Sequence, residues 1–135
     1  MSLKRLSPVI ALLASLALAQ KAAAPMPAKV ADLLKTGAKY DHKIVAVTGN
    51  LADFKVRTSK AGRPYLTFDL VQGTQSVAVY SFGKLAATPK DGARVRVTGV
   101  FSVLKKMGKR EFKNEIDASP KKGVKDGKPA IELLR

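Results

Sequence analysis

Hydrophobic and polar residues alternate with a period of two through most of residues 43–118. KIVAVTGNLADFKV sets Val45, Val47, Gly49 and Leu51 on one face, and Ile44, Ala46, Thr48 and Asn50 on the other. That alternation predicts a strand with one face buried, and Gly49 inside it predicts a bulge or sharp bend. TSKAGR then reads as a turn. YLTFDLV resumes the pattern, with Leu66, Phe68 and Leu70 inward and Tyr65, Thr67 and Asp69 outward. After the turn QGTQ, SVAVYSF sets Val77 and Val79 against Ala78, Tyr80 and Phe82. GKLAATPKDG is a longer connection with room for one helical turn. ARVRVTGVFSVL predicts a fourth strand, with Val95 and Val97 inward and Arg94, Arg96 and Thr98 outward. KKMGKR closes a hairpin into a fifth strand, EFKNEIDA. Phe54 and Phe101 follow the bends of their strands, so alternation assigns them no face.

The flanks read differently. Val30, Leu33 and Leu34 have helical spacing and Gly37 is a C-terminal stop, which predicts a short helix over 29–36. MSLKR followed by LSPVIALLASLALA is a charged then apolar leader ending in small residues, the pattern of a secretory signal cut after Ala19. The competing reading is an uncleaved anchor, but the apolar run is shorter than the roughly 20 residues that span a bilayer. The organisation expected is therefore a signal peptide over 1–19, a leader and short helix over 20–42, a strand domain over 43–118 and a basic tail over 119–135. In that tail Ile131, Leu133 and Leu134 are the residues able to dock back on the domain. The expected location is periplasmic or secreted. Five short strands, two with mid-strand glycines that let a strand bend between sheets, predict an all-β closed barrel.

Composition narrows the function. The 135 residues hold 25 Lys+Arg against 10 Asp+Glu, a formal net charge of +15, and removing Lys4 and Arg5 with the leader makes it +13. Solubility asks for a net charge of only about 2–8 on a small domain. The excess predicts a polyanionic partner: nucleic acid, an anionic membrane surface, or acidic polysaccharide or protein. With no cysteine in the chain, disulfides and thiolate metal sites are excluded. The one histidine, His42, stands in the loop KYDHK, and Asp41 and Asp53 have no metal-ligand spacing with it. Glu111, Glu115 and Asp117 alternate along the fifth strand without forming a recognisable catalytic pair. No nucleophile triad, phosphate loop or dinucleotide fingerprint is present. The residues thus predict a binding protein rather than an enzyme, with no cofactor and no metal.

VAVTGNLADF, TSKAGRPYLTFDL, SVAVYSF and DGARVRVTGVFSV together resemble the nucleic-acid-binding OB domains of the anticodon-binding and single-strand-binding type. The resemblance covers about residues 43–118. It implies a five-stranded OB-fold Greek-key barrel that binds ligands on its second and third strands, between the loops joining strands one to two and four to five. Those loops here are TSKAGR, with Lys60 and Arg63, and KKMGKR, with Lys105, Lys106, Lys109 and Arg110. They would form two basic jaws meant for phosphates. Tyr65, Thr67, Tyr80 and Phe82 would share the face between them, the aromatics as stacking platforms for bases. Phe82 has a second reading, as a plug for one end of the barrel. Arg94 and Arg96 either meet phosphates or solvate the fourth strand. The function expected is binding of single-stranded DNA with little sequence preference. The alternative is a periplasmic adaptor for an acidic protein or an anionic cell-envelope polymer, which needs the charge but not the aromatics.

Overall fold

The computed structural model describes residues 24–120 and 128–134. The expected signal peptide and its cut after Ala19 lie outside the described residues, as does the most basic stretch of the tail, 121–127. The elements are β1 (Met26–Pro27), α1 (Val30–Lys35), α2 (Gly37–Tyr40), β2 (Ile44–Thr58), β3 (Pro64–Gln72), β4 (Gln75–Phe82), β5 (Arg94–Met107), β6 (Arg110–Asp117) and β7 (Ile131–Leu133).

Antiparallel pairing joins β2 to β3, β3 to β4 and β5 to β6. β4 runs parallel to β6, and β2 returns to pair with β5 along Ile44–Asn50. The ring β2-β3-β4-β6-β5-β2 is therefore closed, with a crossover between its third and fifth strands. This is the five-stranded Greek-key barrel of the OB-fold. Closure leaves the barrel strands few unpaired edges. β1 adds beside β2, and β7 beside β5, to complete the sheet.

The period-two alternation produces the core directly. Val45, Val47, Leu51, Leu66, Leu70, Val79, Val95 and Val97 are all at most 1% exposed. Phe101 is fully buried among them, and Phe54 packs at the margin, 6.3 Å from Phe68. Ile131 of β7 also reaches this core, whereas Leu133 stays largely exposed.

α1 begins where the Lys29 N–H donates to the Asp32 carboxylate at 3.0 Å, and it buries Val30 and Leu33 against the barrel. Gln72 ties this helix down: its Oε1 accepts from the Val30 N–H at 2.9 Å, and its Nε2 donates to the Thr48 carbonyl. The helix ends at Lys35 with Thr36 as its cap, just before Gly37 as expected, and Gly37 then opens a second short turn, α2. The connection 83–92 has room for a helical turn but consists of bends and turns.

Of the two features expected at Gly49, a bulge or a sharp bend, the bulge is absent. Register runs unbroken through it, from Gly49↔Val95 to Asn50↔Arg94. Glycine is required there because a Cβ would stand 2.8 Å from the Val71 carbonyl oxygen, where β2 turns from β5 toward β3. Gly99 answers the same need on β5, where a Cβ would fall 2.9 Å from Ala118 Cα. The bulge itself lies further on, between Ala52 and Lys55, with Asp53 at φ 54°.

Candidate nucleic-acid interface

That bulge decides what faces the groove. Strict alternation from Val45 would put Lys55 and Arg57 on the core side with Leu51. One extra residue reverses the parity, because the side-chain period of a strand is two. Lys55 then pairs with Thr67, and Arg57 with Tyr65, on the outer face.

Three cross-strand rows make the floor. Arg57, Tyr65 and Phe82 form the first; Lys55, Thr67, Tyr80 and Asp117 the second; Asp69, Ala78 and Glu115 the third. The aromatics form a ladder. Tyr65 and Tyr80 ring centroids are 5.5 Å apart and tilted by 41°, and Tyr80 meets Phe82 edge-on at 5.3 Å. Phe82 therefore belongs to the outer face and does not plug the barrel.

Two hairpins wall this floor. The first turn is pinned by Ser59, whose N–H donates to the Arg63 carbonyl at 2.8 Å and whose Oγ accepts from the Arg63 N–H at 3.1 Å. The second is a two-residue turn of Gly108 and Lys109 between the paired Met107 and Arg110. Gly108 has φ 62°, which glycine adopts at little cost and which suits the first position of a tight hairpin turn. Lys60 from the first turn, and Lys105, Met107, Arg110 and Phe112 from the second hairpin, line the same groove as the tyrosines.

The expected site residues thus separate into groups. Lys60, Tyr65, Thr67, Tyr80, Phe82, Lys105 and Arg110 converge on the groove. Arg63 stands at its edge, its guanidinium 4.9 Å from the Phe82 ring centroid. Lys106 and Lys109 are exposed and do not line the groove, since alternation along the β5 arm turns Lys105 and Met107 toward it and Lys106 away. Arg94 and Arg96 sit in a separate depression with Lys29, Thr48 and Asn50, and Arg96 is paired with Glu132 at 3.1 Å. They do not join the groove, because their strand segment pairs with the first half of β2, away from β3 and β4.

Lys105 has a different role from the one expected of it. Its Nζ donates to Glu115 at 3.2 Å, lies 3.7 Å from Asp117 and stands 4.8 Å above the Tyr80 ring. The Glu115 side chain is 8% exposed and that of Lys105 26%. Lys105 is therefore committed to neutralising a buried carboxylate and to capping an aromatic face. Burial first, then the neighbouring Asp117 and Glu115, pushes the Tyr80 phenol up to about 12.

Alternation alone did not identify Lys55, Arg57, Asp69, Phe112 or Glu115 as groove residues. For Lys55 and Arg57 the signal was hidden by the bulge. Asp69 was legible as outward but carried no motif. Among the described residues no group of three His, Cys, Asp or Glu is placed to hold a metal ion. His42 is an exposed residue beside Asp41 at 3.3 Å.

No family model and no curated protein matches the sequence. Among solved structures, a Leishmania major Friedlin protein described as an aspartyl-tRNA synthetase gives a TM-score of 0.52 at 13% identity, over 77% of this chain and 24% of its own. This chain thus corresponds to about a quarter of that protein. The OB domain of a Thermoplasma acidophilum protein gives 0.46 at 16% identity, over 81% of this chain and 87% of its own. The first likeness is one of fold.

Proposed function

We propose that this protein binds single-stranded nucleic acid, DNA in the first instance, with the bases turned into the groove and the backbone along its rims. The observation that carries the reading is the Tyr65–Tyr80–Phe82 ladder on the floor between two cation-bearing hairpins. Stacking on such rings is sequence-tolerant, since every base has a π-face. The distribution of charge supports the orientation. Lys60 and Arg110 lie along the walls, and Lys55 and Arg57 at the β2 end of the floor rows, where phosphates would run. The carboxylates Asp69, Glu115 and Asp117 lie on the floor, where a phosphate would be repelled and an N–H donor on a base edge would be accepted. Tyr65 is the ring most available for stacking, because Lys105 caps Tyr80 and Arg63 caps Phe82. The apolar N-terminal segment favours work outside the cytoplasm.

Fluorescence anisotropy against labelled single-stranded DNA, duplex DNA and heparin, across a salt series, tests this. Single-strand binding should be tightest and should fall with salt as counterions are released. Tyr65→Ala should weaken it by about 1–3 kcal/mol, the worth of one stacked base, and leave duplex binding nearly unchanged. Equal, salt-erased binding to all three polyanions would instead favour an acidic protein or envelope polymer as the partner.

A further inference from the structure

Asp69 is an exposed carboxylate on the floor of a groove in a chain of net charge +15. Among the described residues no lysine or arginine pairs with it, as is also true of Asp32, Asp41, Asp91 and Glu111, but of these Asp69 alone lines the groove, whose other carboxylates Asp53 and Glu115 each have a cation within 4 Å. The local reason is its row. Its neighbours across the sheet are Ala52 on β2 and Ala78 on β4. These short side chains bring no polar group to the carboxylate from either neighbouring strand, and among the described residues no side-chain hydrogen bond or ion pair to it is found; on the Ala78 side it opens to the groove. Beyond Ala78 stands Glu115, already held by Lys105. One row along the sheet lie Thr67 and Tyr80, so Asp69 stands diagonally beside the stacking ladder.

Resting on the single-strand reading above, we infer that Asp69 reads the base placed beside it in the groove and selects guanine. A carboxylate has two oxygens and accepts only. Guanine presents two adjacent N–H donors, N1–H and the N2 amine, on its Watson–Crick edge, and matches both oxygens at once. Adenine and cytosine each set an acceptor nitrogen beside their amino group. Thymine sets a carbonyl oxygen on both sides of its single N–H. Each of these three turns a lone pair toward one carboxylate oxygen, so Asp69 rejects them as well as favouring guanine. Single-strand readers work on these exposed edges once the bases are unstacked. The ladder and the cationic walls supply sequence-tolerant affinity, and this one side chain adds the preference.

The test is anisotropy with a labelled thymidine oligonucleotide, and with the same oligonucleotide carrying central guanine, inosine, adenine or cytosine. Wild-type protein should bind the guanine oligonucleotide about tenfold more tightly than the all-thymidine one, the scale of one good bidentate base contact. Inosine lacks the N2 amine and should lose most of that gain. Asp69→Asn is a near-isosteric change at an exposed position. It should abolish the guanine preference and tighten binding to the all-thymidine strand, because it removes a carboxylate facing carbonyl oxygens. If the protein binds all the oligonucleotides alike, or if a guanine preference survives Asp69→Asn, the inference is overturned and the single-strand reading stands. If no oligonucleotide binds, both fall together.

Discussion

Replacing Lys105 separates the role seen in the structure from the one its place in KKMGKR suggests. As one of four interchangeable cations it should matter for binding and little for folding. As the partner of Glu115 it should do the reverse. Breaking a buried pair by removing one member costs about 3–5 kcal/mol, because an uncompensated charge stays behind. Here the lysine side chain is 26% exposed, so water can enter the vacated space, and Asp117 at 3.7 Å is itself partly solvated. About 2 kcal/mol is the reasonable expectation for Lys105→Met, which keeps an apolar stem over Tyr80 and removes the charge. For a domain of about 100 residues that corresponds to a fall in Tm of about 10 °C. Lys109→Met, at an exposed turn position, should stay within about 0.5 kcal/mol of wild type. The assay is thermal and urea unfolding by circular dichroism, run as a double-mutant cycle with Glu115→Gln. A coupling energy of about 1–2 kcal/mol is expected between positions 105 and 115. In the binding assay, Arg110→Gln should lower the salt slope on a single strand by about 0.7, and Lys105→Met should leave it nearly unchanged. Equal stability of the Lys105 and Lys109 variants, or a coupling energy near zero, would refute the assignment.

Further outcomes follow from the same geometry. Gly99→Ala should cost about 3 kcal/mol, since its methyl meets the backbone of Asp117 and Ala118, and the unfolding midpoint reads this directly. Tyr80, raised from 10.0 to about 12, holds its proton in the folded protein at pH values where the unfolded chain has lost it. Stability should therefore be independent of this group below about pH 10 and fall as pH rises toward 12. Comparing the alkaline unfolding of wild type with that of Tyr80→Phe isolates the effect, and tyrosinate absorbance should lose its latest-titrating component in the variant. Phe101→Ala should cost about 3–5 kcal/mol, as expected for emptying a fully buried aromatic site.

Much of the barrel was legible residue by residue. Period-two alternation is a local property, set by successive side chains pointing to opposite sides of a strand. It therefore assigned the faces of Val45, Leu66, Val79 and Val97, and with them those of Tyr65, Tyr80 and Arg96, without knowledge of their neighbours. The basic hairpins could be read in the same way, since a glycine among cations between two strands needs no tertiary partner to be a turn. Lys55 and Arg57 could not be read. Their facing depends on one extra residue at Asp53, and ADFKVR does not announce that bulge, because aspartate tolerates the left-handed region without requiring it. Nor could the division of labour among the cations. Lys105 and Arg110 are alike in composition and neighbourhood along the chain. What separates them is that closing the barrel brings Glu115 and Tyr80 under Lys105 and, among the described residues, no carboxylate within ion-pair distance of Arg110. Wherever alternation runs unbroken, the sequence determined which side chains point outward. Strand order, closure and one bulge decided which of them meet, because those contacts join residues far apart along the chain whose proximity no local pattern encodes.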